Sequence, residues 1–325
     1  MTVTIPTRPG SAQSAPGRGP VGAKVAGRGR GRPGLHVPWL LVLPAGLVYA
    51  VVELLPALAT FGYSLTDWNG LDPAPGFVGV DNFVTAFTNP RLLTALTNTL
   101  LFTLVVVVVQ NLVGLALALA VHRGLKTGSA MRIALFAPVA LSPLVVAYVW
   151  QYMYAPQGGA VNEALAAIGL GELGRAWLGD PSVALMAIAV TVIWQHAGYS
   201  MVIFLAGLEG IPEELHEAAT IDRAGAWARF RHITLPLLAP AFTINLVISA
   251  VSSLKLFDQV IAMTGGGPGY ATETVATVIY KQAFSVGDFA SASALGVLLT
   301  ALVVIISIAQ LRILRRREEQ AGGTR

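Results

Sequence analysis

The sequence has no cysteine, which excludes disulfides, thiol chemistry and cysteine-ligated metal sites but does not reveal the redox compartment. It is also poor in charge. Only 12% of its 325 residues are charged and 54% are hydrophobic, whereas soluble domains carry about 25% charge. A phosphate-cradling P-loop is missing as well, because that loop needs Gly-Lys followed by Ser or Thr. Here Lys24, Lys126, Lys255 and Lys281 follow Ala23, Leu125, Leu254 and Tyr280, so ATP use by that route is excluded. No Ser-His-Asp set or carboxylate pair stands out, and His196 has no second His or carboxylate at ligand spacing, which favours a packed, hydrogen-bonded histidine over a metal ligand. No enzymatic activity and no metal are expected. The net charge of +4 is carried at the two ends and in short loops, so membrane topology explains it better than a nucleic-acid partner does.

What remains is apolar and long. Residues 1–36 are rich in Gly, Pro, Ser, Ala and Arg with no apolar run, the composition of a disordered tail. The first apolar run begins near Val37 and is too long for a signal peptide. Six apolar stretches follow, at about 38–63, 94–121, 132–154, 183–208, 237–262 and 290–311, each long enough to cross a bilayer as a helix. The expected fold is an all-α polytopic membrane protein with six transmembrane helices. Prolines 44, 56, 138 and 143 fall inside stretches and predict kinks, while Pro236 and Pro240 open the fifth harmlessly. Seventeen Lys and Arg fall in the two tails, the second loop and the fourth loop; the other three loops carry only Arg91, Arg175 and Lys281. Basic loops stay cytoplasmic, so the chain is expected in the cell (inner/plasma) membrane as a multi-pass protein with both termini and the fourth loop in the cytoplasm.

The fourth loop, 209–236, is a charged island. Pro212, Glu213, Glu214, Glu217, Asp222, Arg223, Arg229 and Arg231 alternate with Leu215, Ala218, Ala219, Ile221, Trp227, Phe230 and Ile233 at helical spacing. Pro212 with two acids behind it marks a helix start, and Gly225 is a candidate turn between two short helices. A helix lying on the bilayer is the bland alternative; its acids would be repelled by anionic lipid, and Trp227 and Phe230 suggest a face buried against something.

Ionisable residues inside spans cost about 2.5 to 3.5 kcal/mol each and invite a functional reading. Glu53, His196, Lys255 and Asp258 qualify. Glu53 as a lone acid suits structural pairing as well as transport, and Lys255 and Asp258, three apart on one expected helix face, suit an internal ion pair as well as a pathway. Asn245, Ser249, Ser252 and Ser253 share that helix. Sugars need hydroxyl partners and flat faces together. Trp194, Gln195, His196 and Tyr199, deep in the fourth stretch, are a better candidate than Trp150, Gln151, Tyr152 and Tyr154, which suit an interfacial belt.

The charged island resembles the EAA loop of binding-protein-dependent ABC importer permeases, with Glu217-Ala218-Ala219 followed by Ile233-x-Leu235-Pro236. Leu256-Phe257-Asp258, Met263-Thr264-Gly265-Gly266-Gly267-Pro268 and residues 274–284 resemble the carbohydrate-uptake branch, on the side of the first maltose or glycerol-3-phosphate permease. The glycines and Pro268 also read simply as a tight turn.

The resemblance implies a type I ABC importer transmembrane domain with a core over 94–311. It would be preceded by a first helix and external loop over 37–93 and followed by a basic tail, 312–325. It further implies that Glu217, Ala218, Ala219, Asp222, Arg223 and Gly225 couple to a cytoplasmic ATPase and that Ile233, Leu235 and Pro236 return the chain to the membrane. Ser252, Ser253, Lys255, Leu256 and Asp258 would wall the sugar site, and Thr264 to Pro268 would form an external loop. The implied partners are a second permease in a heterodimer, two copies of the ATPase, which would use the ATP and Mg, and an extracytoplasmic sugar-binding protein. The pattern departs at Arg223, where the family usually has Gly, so the docking geometry is expected to differ there. The rival reading is an ion-coupled secondary transporter that uses Glu53 or the Lys255 and Asp258 pair without an ATPase.

Overall fold

The computed structural model describes residues 39–122 and 128–322, with side chains over 42–122 and 130–314. The tail 1–36, Arg123 and Lys126 lie outside the described residues, as do the side chains from Arg315 onward. Among the described residues there is no strand, only an isolated antiparallel bridge between Thr66 and Phe77. The chain divides into two units, Met1–Ala50 and Val51–Arg325. In the first lies α1, Trp39–Tyr49, which keeps its helical form around Pro44.

The second unit carries everything after Ala50. A π-helical turn, Ala50–Leu54, leads into α2, Leu55–Tyr63. Pro56, with no N–H to give and a ring that crowds the preceding turn, accounts for that widening. After α3 (Asp81–Thr88) comes α4 (Pro90–His122), which stays helical through Val105–Val109. Five successive β-branched residues would favour a strand in water, but in lipid only a helix satisfies their backbone locally. Next come α5 (Gly128–Phe136) with a 3-10 turn at Ala137–Ala140, α6 (Pro143–Met153), α7 (Ala160–Ala167) and the straight α8 (Ala184–Glu209). The remainder is α9 (Glu213–Ile221), α10 (Ala226–Arg229), α11 (Leu235–Leu237), α12 (Ala239–Leu254), α13 (Asp258–Thr264), α14 (Val275–Lys281) and α15 (Phe289–Gly322). The last of these continues as helix past residue 311, into the stretch expected as a tail.

Among the described residues, four helices are long and apolar enough to cross a membrane: Val42–Tyr63, Pro90–His122, Ala184–Glu209 and Phe289–Leu314. Two more candidates are broken. Ala130–Ala140 meets Pro143–Met153 at 98°, and Ala226–Leu237 meets Ala239–Leu254 at 64°. With each pair taken as one span the count reaches the expected six. Pro138 and Pro143 flank the first break, where kinks are expected. Pro236 and Pro240 flank the 64° bend, each in the first turn of its helix, where a proline is tolerated as expected.

The fifth stretch also ends early. α12 stops at Leu254, and Lys255, Leu256 and Phe257 separate it from α13. Lys255 and Asp258 therefore do not share a helix face, contrary to expectation, and they form no ion pair with each other.

Packing centres on α4 and α8. One apolar cluster joins Phe102 (α4), Ala147 (α6), Ile188 and Val192 (α8) to Leu256 and Val260; a second joins Leu115 and Ala118 to Phe204, Leu208, Leu238 and Ala241. The two helices approach closely at Gly114, where a Cβ would stand 2.5 Å from the Ser200 Cβ. Outward side chains such as Leu104, Leu112, Ile305 and Ile308 are exposed, as lipid contact requires.

Candidate functional site

Three polar regions stand out. The first is a cavity of about 390 Å³ at two breaks, the 98° one between α5 and α6 and the gap Lys255–Phe257 between α12 and α13. Val139 and Pro143 line it from the first break, His196 and Tyr199 from α8, Ser249, Ser252 and Ser253 from α12, and Lys255 to Gln259 from the second break. Ser252, Lys255 and Asp258 are exposed and turned to it; neither charged side chain has an ion-pair partner among the described residues. His196 Nδ1 lies 3.0 Å from the Val192 carbonyl. A carbonyl only accepts, so Nδ1 is the donor in this contact and Nε2 is left for another partner.

Seven of the ten expected pathway residues meet here: Tyr199, Ser249, Ser252, Ser253, Lys255, Leu256 and Asp258. Trp194, Gln195 and Asn245 do not. Trp194 is exposed and packs edge-on against Trp150 at 5.4 Å. Asn245 is buried and donates to the Ser200 carbonyl at 3.2 Å. Gln195 is buried and bonded to protein on both sides. Trp194 falls on another face of α8, whereas Gln195, four residues before Tyr199, and Asn245, four before Ser249, share the faces of those residues but are buried with their amides bonded to protein. Gln110, Phe257 and Gln259 are wall residues that sequence reasoning passed over. Gln110 donates to Ser200 Oγ at 2.9 Å, and Asn111 donates to Ser249 Oγ at 3.1 Å, so polar side chains stitch α4 to α8 and to α12 behind the cavity. A buried amide inside an apolar helix was the readable signal for both.

The second region is the charged loop. α9 exposes Glu217 and Ala218 and buries Ala219; Asp222, Arg223, Gly225, Leu235 and Pro236 are exposed and Ile233 is half-buried. Arg223 adopts φ +55°, the left-handed conformation, while Gly225 is extended with φ −65° and ψ 162°. The turn thus sits at Arg223 and not at Gly225. Ala224 N donates to the Ala219 carbonyl at 2.9 Å and Arg223 N to the Thr220 carbonyl at 3.0 Å, the Schellman pattern that ends a helix at a left-handed residue. The loop takes the backbone a glycine would give it, with Arg223 in the glycine's place. Trp227 and Phe230, expected to be buried together, differ: Trp227 is 70% exposed and Phe230 half-buried, and Ile221 is 82% exposed. Beneath the loop lies a cavity of about 610 Å³ edged by His122, Glu209, Glu213, His216 and Arg229.

The third region is the loop after α13. Gly265 and Gly266 have φ of +60° and +91°, and the Gly267–Pro268 peptide is cis. Glu273, fully buried, accepts from Arg91 Nε at 2.6 Å and from Lys281 Nζ at 2.6 Å; Lys281 also donates to the Gly265 carbonyl at 2.7 Å. Burial alone would raise the Glu273 pKa, but the hydrogen bonds from Arg91 and Lys281 outweigh it and hold the carboxyl below the usual carboxylate range. Sequence reasoning missed this triad. Its members were legible only as isolated charges beside apolar stretches.

The loop after α13 and the charged loop lie at opposite ends of the bundle. Arg91, near the start of α4, reaches Glu273, whereas His122 at the end of α4 edges the cavity under α9. α4 has 33 residues, about 50 Å at 1.5 Å per residue.

Residues 110–320 match the model of the binding-protein-dependent transport system inner membrane component. This chain belongs to that family. The permease is 34% identical over 280 residues to a probable starch degradation products transport system permease of Thermoanaerobacterium thermosulfurigenes, covering 86% of this chain and 94% of that one. It is 32% identical over 281 residues to the trehalose/maltose transport system permease of Thermococcus litoralis, with 86% and 94% covered. With the sn-glycerol-3-phosphate transport system permease of Yersinia pestis it shares 33% over 292 residues, with 88% and 97% covered. The fold is also that of a bacterial alginate ABC transporter solved in complex with an alginate pentasaccharide-bound periplasmic protein: TM-score 0.77, 23% identity, 87% of this chain and 95% of that chain covered.

Proposed function

We propose that this permease forms half of the pathway of an ATP-driven importer for a carbohydrate or related polyol delivered by an external binding protein. The observation that carries the reading is the cavity at the two breaks. Its hydroxyls and amides, the imidazole of His196, the charges of Lys255 and Asp258 and the ring of Phe257 combine hydrogen-bond partners with a flat apolar face, which suits a polyhydroxylated ligand.

The charged loop is the transmission element in this reading. Exposed Glu217, Ile221 and Trp227 dock in a groove of a separate ATPase, which supplies the ATP and Mg chemistry; the permease itself performs no catalysis. Closure of the ATPases pulls α9 and α10, and the bundle alternates between facing inward and outward. The second half of the pathway is another permease in a heterodimer, above two ATPase copies. The count of seventeen basic residues against three places both termini and α9 in the cytoplasm, with Thr264, Gly265, Gly266, Gly267 and Pro268 outside. An ion-coupled carrier working alone is not favoured, since Glu53 does not line the cavity and Lys255 and Asp258 do not pair.

Co-purification from the native membrane in mild detergent tests the assembly. Recovery of an ABC ATPase and a second six-span permease with the tagged chain is the expected result; recovery of neither contradicts it.

A further inference from the structure

Gln195 occupies a position that the transport reading leaves unused. Its side-chain Nε2 donates to the Leu141 carbonyl at 3.0 Å, and its Oε1 accepts from Gln259 Nε2 at 3.2 Å. Leu141 lies between the two arms of the span broken at 98°. Gln259 lies in the first turn of α13, just past the Lys255 to Phe257 break. Gln195 itself projects from α8, which runs unbroken for 26 residues. It is 1% exposed and Gln259 4% exposed. Turning the Gln195 amide over would set its oxygen against the Leu141 carbonyl oxygen and its NH2 against that of Gln259, so one orientation alone satisfies both partners.

A broken helix leaves backbone carbonyls without their i+4 donors, and in a membrane interior such groups need a partner. Gln195 supplies one and ties it to the second break. Residues flanking both breaks, Val139 and Pro143 on one side and Lys255 to Gln259 on the other, form the cavity wall. We propose that Gln195 is a positioning residue that fastens the two breaks to α8 as one unit, so that opposite walls of the cavity shift together during transport. It acts through Leu141 and Gln259 and does not touch the cargo.

The inference rests on the transport reading for its consequence but can be tested apart from it. In the purified full chain in nanodiscs, Gln195→Leu is expected to speed hydrogen exchange about ten-fold at both 144–147 and 258–261. Faster exchange at one break alone, or at neither, overturns the linkage whatever the protein transports. In proteoliposomes holding the whole importer, Gln195→Leu is expected to lower maximal uptake about ten-fold with KM within about two-fold of wild type.

Gln195→Glu supplies the readout that packing alone would not move. A protonated carboxyl donates to Leu141 and accepts from Gln259, whereas an ionised one has no donor. That variant is expected to approach wild-type uptake at acidic pH and to lose it as pH rises, because only the protonated carboxyl can donate to Leu141. A pH profile parallel to wild type overturns the proposal. Wild-type vesicles that take up nothing on ATP addition would instead count against the transport reading, leaving the exchange result to decide on Gln195.

Discussion

Arg223 holds a left-handed backbone that costs an ordinary L-residue about 1 to 2 kcal/mol. Glycine has no such penalty but gives the unfolded chain more freedom, which offsets part of the gain. Arg223→Gly is therefore expected to stabilise the protein by up to about 1 kcal/mol, and Arg223→Val to destabilise it, as read by thermal unfolding in detergent. A lower melting temperature for the glycine variant would show that the Arg223 side chain contributes more than its backbone costs.

Glu273 carries the opposite kind of risk. It is fully buried between Arg91 and Lys281, which are 33% and 25% exposed. Glu273→Gln leaves both cations without their carboxylate and is expected to cost about 3 kcal/mol. Because the carboxyl pKa is lowered on folding, its contribution is full above the usual carboxylate range and is lost as pH falls through the folded value. Stability of the wild type should drop there more steeply than that of Glu273→Gln; parallel acid curves would contradict the assignment.

The contrast between these residues shows what a sequence makes legible. The departure at Arg223 was visible because a local motif specifies which residue ends the helix. What motif reading could not supply was the backbone angle, and the loop keeps the glycine geometry instead of changing it. Glu273 was invisible because Arg91 lies 182 residues away, and no local pattern encodes a pair at that separation.

Among elements, the apolar stretches gave the number and approximate limits of the spans, since lipid leaves the backbone few choices. The breaks were less legible. Prolines flag where a helix can bend, but only packing against α8 decides that the first pair turns through 98° and that α12 ends at Leu254. That early end separates Lys255 from Asp258 and moves both to the cavity rim. Trp194 and Gln195 illustrate two further limits: Trp194 is on another face of α8 from Tyr199, while Gln195 shares that face but is buried behind it and bonded to protein.

The charged loop behaves as an element of its own, with α9 closed by its Schellman turn and tied to α10 by Arg229 NH1 donating to Thr220 Oγ1 at 3.2 Å. Glu217 is exposed on α9 and has no hydrogen bond or ion pair among the described residues. Reversing its charge should leave the fold intact while opposing a docking partner. Glu217→Lys is expected to reach the membrane at wild-type level and to abolish most ATP-driven uptake. Normal uptake would place the docking contact elsewhere.

For the whole molecule, the unbroken helix α4, about 50 Å long, connects the end carrying the loop after α13 to the end carrying α9, with the cavity at the breaks between them. A force applied at α9 can reach the cavity through α8 and the polar stitches to α4 and α12. The most direct test is reconstitution of this permease with the proposed second permease and ATPase in sealed vesicles, with binding protein and labelled sugar outside and ATP inside. The account predicts uptake that requires ATP hydrolysis and disappears with Glu217→Lys while the variant remains in the vesicles. Uptake by this chain alone, driven by a pH gradient without ATP, would contradict it.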